Sequence, residues 1–240
     1  MVSMGIDAFR FSIAWTRILP DRSGTPNIEG IGHYNNLIDK LIDCGRDNFV
    51  AYANVCFAAF GDRVKYWVTF DEPNDYVGLA YASTQSPPGR CTPGYGFYGN
   101  CTMGNSSTEP YLVAHNIHLA HSAVAKLYKT EYKPAQGGSI GMAPWFKWYE
   151  PLNVSDVYDV AAAKRAQDFL FGWFMDPLVT GEYPETMRSM LGSRLPSFTE
   201  EEADDLRDSM DLWGSIRLRP CMSLTGVWRK KPSMMATTVI

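Results

Sequence analysis

No stretch of the 240-residue chain holds the roughly 18 consecutive apolar residues that a membrane-spanning helix needs, so no bilayer crossing is expected. Positive charge is not in excess. The 22 Lys and Arg against 26 Asp and Glu leave a net charge of −4, without the basic footprint of a nucleic-acid partner. The start, Met1-Val2-Ser3-Met4-Gly5-Ile6-Asp7, lacks a basic stretch followed by an apolar segment, so it does not read as a secretory leader. Internal repeats and low-complexity segments are absent. Cysteine is scarce and odd in number, five in all, so at least one thiol stands outside any internal pair. What is plentiful is apolar surface: 45% hydrophobic and 20% charged residues suit a chain that buries a sizeable core. The 13% aromatic content supplies flat faces for packing or for stacking on sugars.

Of the cysteines Cys44, Cys56, Cys91, Cys101 and Cys221, only Cys91 and Cys101 look like a staple. They bracket Thr92-Pro93-Gly94-Tyr95-Gly96-Phe97-Tyr98-Gly99-Asn100, a glycine-rich segment without helical or strand period that closure would order. Asn100, Asn105 and Asn153 each head an N-glycosylation triplet. Together with a loop cystine, they tilt the reading toward a secretory compartment, against plain surface loops of a cytosolic protein.

Apolar period switches along the chain between strand-like and helical. The alternation in Phe9-Arg10-Phe11-Ser12-Ile13-Ala14-Trp15 predicts a strand. Tyr34, Leu37, Ile38, Leu41 and Ile42 predict a helix that stops before Gly45, and 49–60 a second helix. Tyr66-Trp67-Val68-Thr69-Phe70, β-branched and aromatic, predicts a strand running into Asp71-Glu72-Pro73. A long loop to about residue 108 is expected next, then a long amphipathic helix over 109–132 and a short buried strand over 138–143. A helix over 156–174, stopped by Asp176-Pro177, and another opened by Glu200-Glu201-Glu202 complete the pattern. Strands alternating with helices point to an α/β fold with a parallel sheet or barrel.

Chemistry is most legible at Thr69-Phe70-Asp71-Glu72-Pro73-Asn74. A strand that ends in two carboxylates and is halted by proline puts Glu72 at the carboxyl rim of a parallel sheet, where such folds keep reactive groups. Walled by residues such as Trp67 and Phe70 and repelled by Asp71, a glutamic acid there is expected to have its pKa raised and to donate a proton near neutral pH. The same pattern also suits a solvated Asp-Glu pair before a proline turn.

These residues resemble the plant β-glucosidases of glycoside hydrolase family 1. The second barrel strand of that family is similar to Phe9-Arg10-Phe11-Ser12-Ile13-Ala14-Trp15-Thr16-Arg17-Ile18-Leu19-Pro20, and its acid/base strand, usually T-F-N-E-P, to Thr69-Phe70-Asp71-Glu72-Pro73. Pro88-Gly89-Arg90-Cys91, Gly104-Asn105-Ser106-Ser107-Thr108-Glu109-Pro110-Tyr111, Arg165-Ala166-Gln167-Asp168-Phe169 and Gly192-Ser193-Arg194-Leu195-Pro196 also match. The resemblance, spanning about residues 4 to 214, implies a (β/α)8 barrel, here partial and lacking several strands. It also implies retaining hydrolysis of small β-glucosides without metal or cofactor, beside the absence of nucleic-acid and membrane partners already expected from charge and hydropathy. It makes Glu72 the general acid/base, Arg10 the support of the nucleophile and Lys147 a residue of the aglycone side. It pairs Cys91 with Cys101. Asp71 stands where the family has an asparagine for the sugar 2-hydroxyl, and an ionised carboxylate cannot donate the hydrogen bond an amide can. A secreted, vacuolar or other secretory location follows from the family.

The departures shape the expectation of activity. Double displacement needs two carboxyl groups about 5 to 5.5 Å apart, yet no Glu-Asn-Gly, the family's nucleophile motif, occurs in the chain. The family's strand with His-Trp-Asp, which belongs between Gly45 and Phe49, is replaced by Arg46-Asp47-Asn48, as though one βα step were excised. The first family strand is expected to precede residue 1, and residues 215–240 form a tail without family character that resembles read-through from another frame. An inactive, poorly folding remnant is the expectation, with a non-catalytic carbohydrate-binding remnant or an unstable truncated product as alternatives. Other constellations carry less. His115, His118 and His121 share a helical face but spread across it without a further ligand, so packing outweighs zinc. Tyr95, Phe97, Tyr98, Trp145 and Trp148 could stack on sugar or pin loops.

Overall fold

A computed structural model of the chain describes residues 11–12, 36–94, 101, 103–213 and 238–239, with side chains over 47–94, 101 and 103–211. Its sheet has five strands, all parallel, in the order β1-β5-β2-β3-β4. These are β1 (Phe11–Ser12), β2 (Tyr66–Asp71), β3 (Ser139–Ala143), β4 (Leu212–Trp213) and β5 (Thr238–Val239). The expected strand over 9–15 is met by β1, the rest of it lying outside the described residues.

One helix, α1 (Asn36–Phe60), replaces the two expected around Gly45. A mid-helix glycine costs only about 1 kcal/mol relative to alanine, and the second half of α1 offsets that through packing. Phe49, Tyr52, Ala53, Cys56 and Phe57 recur at i, i+3, i+4, i+7 and i+8 and are fully buried. They meet α3 (Glu109–Leu127), which buries Val113, Ala114, Ile117, Ala120 and Val124. Trp67 of β2 closes the contact, its ring 5.0 Å from Phe57 at 79°, with Tyr128 4.8 Å from Phe57. Beyond α3 a π-turn (Tyr128–Tyr132) and α4 (Lys133–Gln136) lead to β3. The chain turns back there at Gly138, where a Cβ would lie 2.8 Å from the Lys65 carbonyl.

Two further expectations need correction. The loop expected up to residue 108 begins with α2 (Pro73–Tyr81), because Pro73 fits the first helical position and Val77, Ala80 and Tyr81 give the segment a buried face. The helix expected to stop at Asp176-Pro177 instead consists of α5 (Val157–Gln167), a π-turn (Asp168–Gly172) and α6 (Trp173–Thr180), which contains Pro177. Pro177 is an interior residue of α6 and is buried with Trp173, Phe174, Met175 and Leu178, so packing carries the helix through a proline that local propensity reads as a stop. Short α7 (Glu185–Leu191) carries too few turns to show a period. Last comes α8 (Glu200–Arg207), closed by a capping box between Thr199 and Glu202.

Candidate active site

The site is built where β2 hands over to α2. The β2–β3 pairing shifts register between Val68 and Asp71, and Asp71 then lies opposite Ala143. Next, the Glu72 N–H donates to the Ala143 carbonyl at 2.7 Å, fastening the end of β2 to the end of β3. Proline at position 73 disfavours a right-handed helical conformation for the residue before it. Glu72 takes the left-handed one, φ 52° and ψ 43°, and so turns the chain from strand to helix in a single residue. For a residue with a Cβ this conformation costs about 1–2 kcal/mol. At an ordinary helix or strand position alanine is the more stable choice over glycine. Here the order should invert, with Glu72→Gly more stable than Glu72→Ala by about 1 kcal/mol in urea unfolding, and the usual order would argue against the left-handed turn.

Glu72 is half-buried, and its charge reaches Asp75 one helical turn on. The Asp75 carboxyl is raised above the usual carboxylate range, first by burial and then by repulsion from Glu72. Trp67 and Phe70, expected to wall the acid, have their rings in the core, Phe70 4.9 Å from Phe49. The shelter of the rim comes instead from Asn74. Its buried amide donates to the Trp145 carbonyl at 2.7 Å and to the Leu170 carbonyl at 3.0 Å, and accepts from the Trp145 N–H at 2.8 Å. Three segments are tied at one point: the α2 start, the loop after β3 and the π-turn before α6. That loop carries Lys147, whose Nζ lies 5.5 Å from the centre of the Tyr149 ring, and Trp148, which is 57% exposed. Structure therefore brings Asp71, Glu72 and Lys147 to one rim. A separate cleft of about 590 Å³, lined among others by Thr92, Ser106, Tyr111 and Arg194, includes none of the three.

Beneath the rim, Thr69 Oγ1 and His121 Nδ1 share a 2.7 Å hydrogen bond inside the core. The three histidines of α3 are packing residues. His115 stacks on Phe198 at 4.5 Å with Nδ1 3.1 Å from the Tyr183 hydroxyl, and His118 stacks on Phe174 at 4.9 Å. His118 places Nδ1 2.7 Å from the Ala114 carbonyl and Nε2 3.3 Å from that of Phe174. Burial pushes its pKa down to about 4 and that of His121 to about 3. Among the described residues no group of His, Cys, Asp and Glu is placed to hold a metal ion.

Cys91 and Cys101 form a disulfide with Cα atoms 5.6 Å apart. Arg90, next to it, grips Glu109 at the start of α3 through Nε–Oε2 (3.0 Å) and Nη2–Oε1 (2.6 Å), which holds the Glu109 carboxyl below its usual range. Asn105 and Asn153 are exposed. In both triplets the asparagine Oδ1 accepts the backbone N–H two residues on, at 2.9 Å. Arg10 and Asn100 lie outside the described residues. Sequence reasoning gave no role to Asn74 or Asp75. A polar residue just after the first helical proline was the available signal for Asn74, but its partners lie 71 and 96 residues away.

Comparison with known proteins places this geometry. The description "Glycosyl hydrolase family 1" matches residues 1–47 and 44–223, two segments that meet inside α1. Beta-glucosidase 34 of Oryza sativa subsp. japonica is 45% identical over 89% of this chain and 47% of its own length, and Beta-glucosidase 40 of Arabidopsis thaliana is 44% identical over similar shares. The chain spans about half the length of the curated relatives it matches. Among solved structures, a rice β-glucosidase superposes with a TM-score of 0.78 at 44% identity, covering 89% of this chain and 50% of the other. A mutant of that rice enzyme, in a covalent complex with Glc, gives the same score. A β-glucosidase from the fungus Humicola insolens, in complex with glucose, gives 0.76 at 32% identity, covering 88% and 50%. With its parallel strands and the helices that connect them, the chain belongs to glycosyl hydrolase family 1, as a partial (β/α)8 barrel.

Proposed function

We propose that the chain carries the acid/base half of a retaining β-glucosidase, with Glu72 as the proton donor, and that these 240 residues do not complete the reaction. The observation that carries the reading is the placement of Glu72: at the C-terminal end of the central strand, turned out of the sheet by its backbone and tied to the end of β3. Groups at the C-terminal rim of such sheets are positioned for chemistry. The covalent Glc complex of the rice relative fits a double displacement.

Two carboxyl groups must flank the glycosidic bond, one giving a proton to the leaving oxygen and the other attacking the anomeric carbon. Asp71 and Asp75 come from the same strand-to-helix turn as Glu72 and cannot stand across a sugar ring from it. No Glu-Asn-Gly motif supplies another. In this reading Asp71 contacts the sugar 2-hydroxyl only as an acceptor, Lys147 flanks the aglycone and Arg10 supports a nucleophile that is missing. The substrate class is a small-molecule β-glucoside, handled without cofactor. Residues 1–214 form the incomplete barrel by resemblance, and of residues 215–240, which lack that resemblance, Thr238–Val239 enter the sheet as β5. Asn100, Asn105 and Asn153 are N-glycan acceptors and the compartment is secretory.

Incubation with a chromogenic aryl β-glucoside tests the reading. The wild-type chain and Glu72→Gln should both show no turnover above buffer. Hydrolysis by the wild type that Glu72→Gln abolishes would keep Glu72 as the acid/base and overturn the loss of activity. Hydrolysis that survives Glu72→Gln would overturn both.

A further inference from the structure

We infer that the segment at Thr238–Val239 works as an internal strap, a strand from outside the family match that holds the two matched segments in one sheet. Two independent observations meet here. The family match is broken, its first segment holding β1 and its second holding β2, β3 and β4, and it ends at residue 223. β5 lies beyond that end, yet in the sheet it stands between β1 and β2, at the boundary between the two segments. Thr238 is in register with Phe11 on one side and Trp67 on the other, and Val239 with Ser12 and Val68. β1 makes no pairing with β2 directly among the described residues, so its place in the sheet rests on β5.

The physical argument is one of backbone satisfaction. Among the described residues, α1 runs unbroken from Asn36 to Phe60 on the stretch of chain between β1 and β2. With a strand-wide gap between them, β1 and β2 would each present a row of unpaired N–H and C=O groups, and a parallel strand entering that gap satisfies both rows at once. It also holds β1 two strand spacings, about 9.6 Å, from β2. β-branched residues favour the strand conformation, and Thr238 and Val239 are both β-branched. The tail that sequence reasoning set aside as foreign to the family thereby becomes a structural part of the remnant.

Hydrogen exchange on the full chain tests this without any variant. The amides of Thr238 and Val239 should exchange about a hundredfold slower than an unstructured chain, in the same class as those of Trp67 and Val68. Exchange at the unstructured rate while Trp67 and Val68 stay protected overturns the strap. A Thr238→Pro/Val239→Pro double variant, which removes the N–H donors of the strand, should lower protection at Phe11, Ser12 and Val68 at least about tenfold. Protection in α3 should stay unchanged. Unchanged protection at β1 also overturns the proposal, and should the variant not fold, the full-chain rates at residues 238–239 decide alone. None of these readings depends on Glu72, so the strap and the proposed function fail separately.

Discussion

Lowering the pH from 6.5 to 5 should remove about 3 kcal/mol of unfolding free energy, the combined contribution of His118 and His121. Both rings are completely buried, and burial holds their pKa values down to about 4 and about 3. In the unfolded chain they return to the ordinary histidine value near 6.5. The unfolded state therefore binds more protons than the folded state throughout the window between the two values. Stability from these rings is complete above pH 6.5 and is lost as the pH falls toward the folded values.

The groups facing them do not rescue the protonated form. The Ala114 and Phe174 carbonyls at its two nitrogens favour a charged His118, but burial among Phe174, Tyr183 and Phe198 outweighs them and the neighbouring His115 adds to the penalty; for His121, burial leads, and His118 and Lys129 disfavour a further positive charge. His115, which burial also holds below the ordinary histidine value, adds a loss of the same sign. Below about pH 4.5 Glu109 adds a further loss of the same sign, since Arg90 holds its carboxyl low. Asp211 joins it: burial raises its carboxyl, but hydrogen bonds from Lys133, the Ile140 N–H and Lys129 outweigh that and keep it low. Asp75 and Asp176, raised chiefly by burial, act in the opposite direction there. Urea unfolding at half-unit pH steps would read the slope. His118→Phe should remove about half of it, and a wild-type profile flat between pH 6.5 and 5 would show that the rings are not buried and neutral.

Asn74→Ala should cost about 3 kcal/mol, a fall of roughly 6–12 °C in the unfolding midpoint for a domain of this size. One amide satisfies the Trp145 N–H, the Trp145 carbonyl and the Leu170 carbonyl in a nearly water-free position. An orphaned buried backbone group costs more than the net worth of the bond it loses. Asn74→Asp keeps the acceptor but loses both donors to carbonyls, and it adds a buried charge beside Glu72 and Asp75, so it should be at least as damaging. The loop over residues 144–150 should also become accessible to protease in both variants, because the tie holding it to the start of α2 is gone. A change below 2 °C would count against the three-way tie.

Much of the local structure was readable from residue order. β2 and its Asp-Glu-Pro ending follow from β-branched and aromatic composition halted by proline, and α3 follows from an apolar stripe at helical spacing. The capping box at Thr199 and Glu202 and the Cys91–Cys101 pair are short-range features that the sequence signals directly. The Glu72 position was legible for the same reason: strand end, acid and proline are consecutive.

Whatever depended on distant residues had to wait for the fold. Gly45 looks like a helix end until packing of Phe49, Tyr52, Cys56 and Phe57 against α3 outweighs its local cost. Pro177 looks like a stop until its burial with Trp173, Phe174 and Leu178 carries α6 through it. The sequence by itself determined the period of each element, the charge balance and the address of the acid. Only the tertiary structure decided that Asn74 locks the rim, that His118 and His121 are neutral core residues, and that β5 stands between β1 and β2. Each of these depends on groups some 50 to 230 residues apart meeting in a medium that excludes water, a distance over which local propensity carries no information.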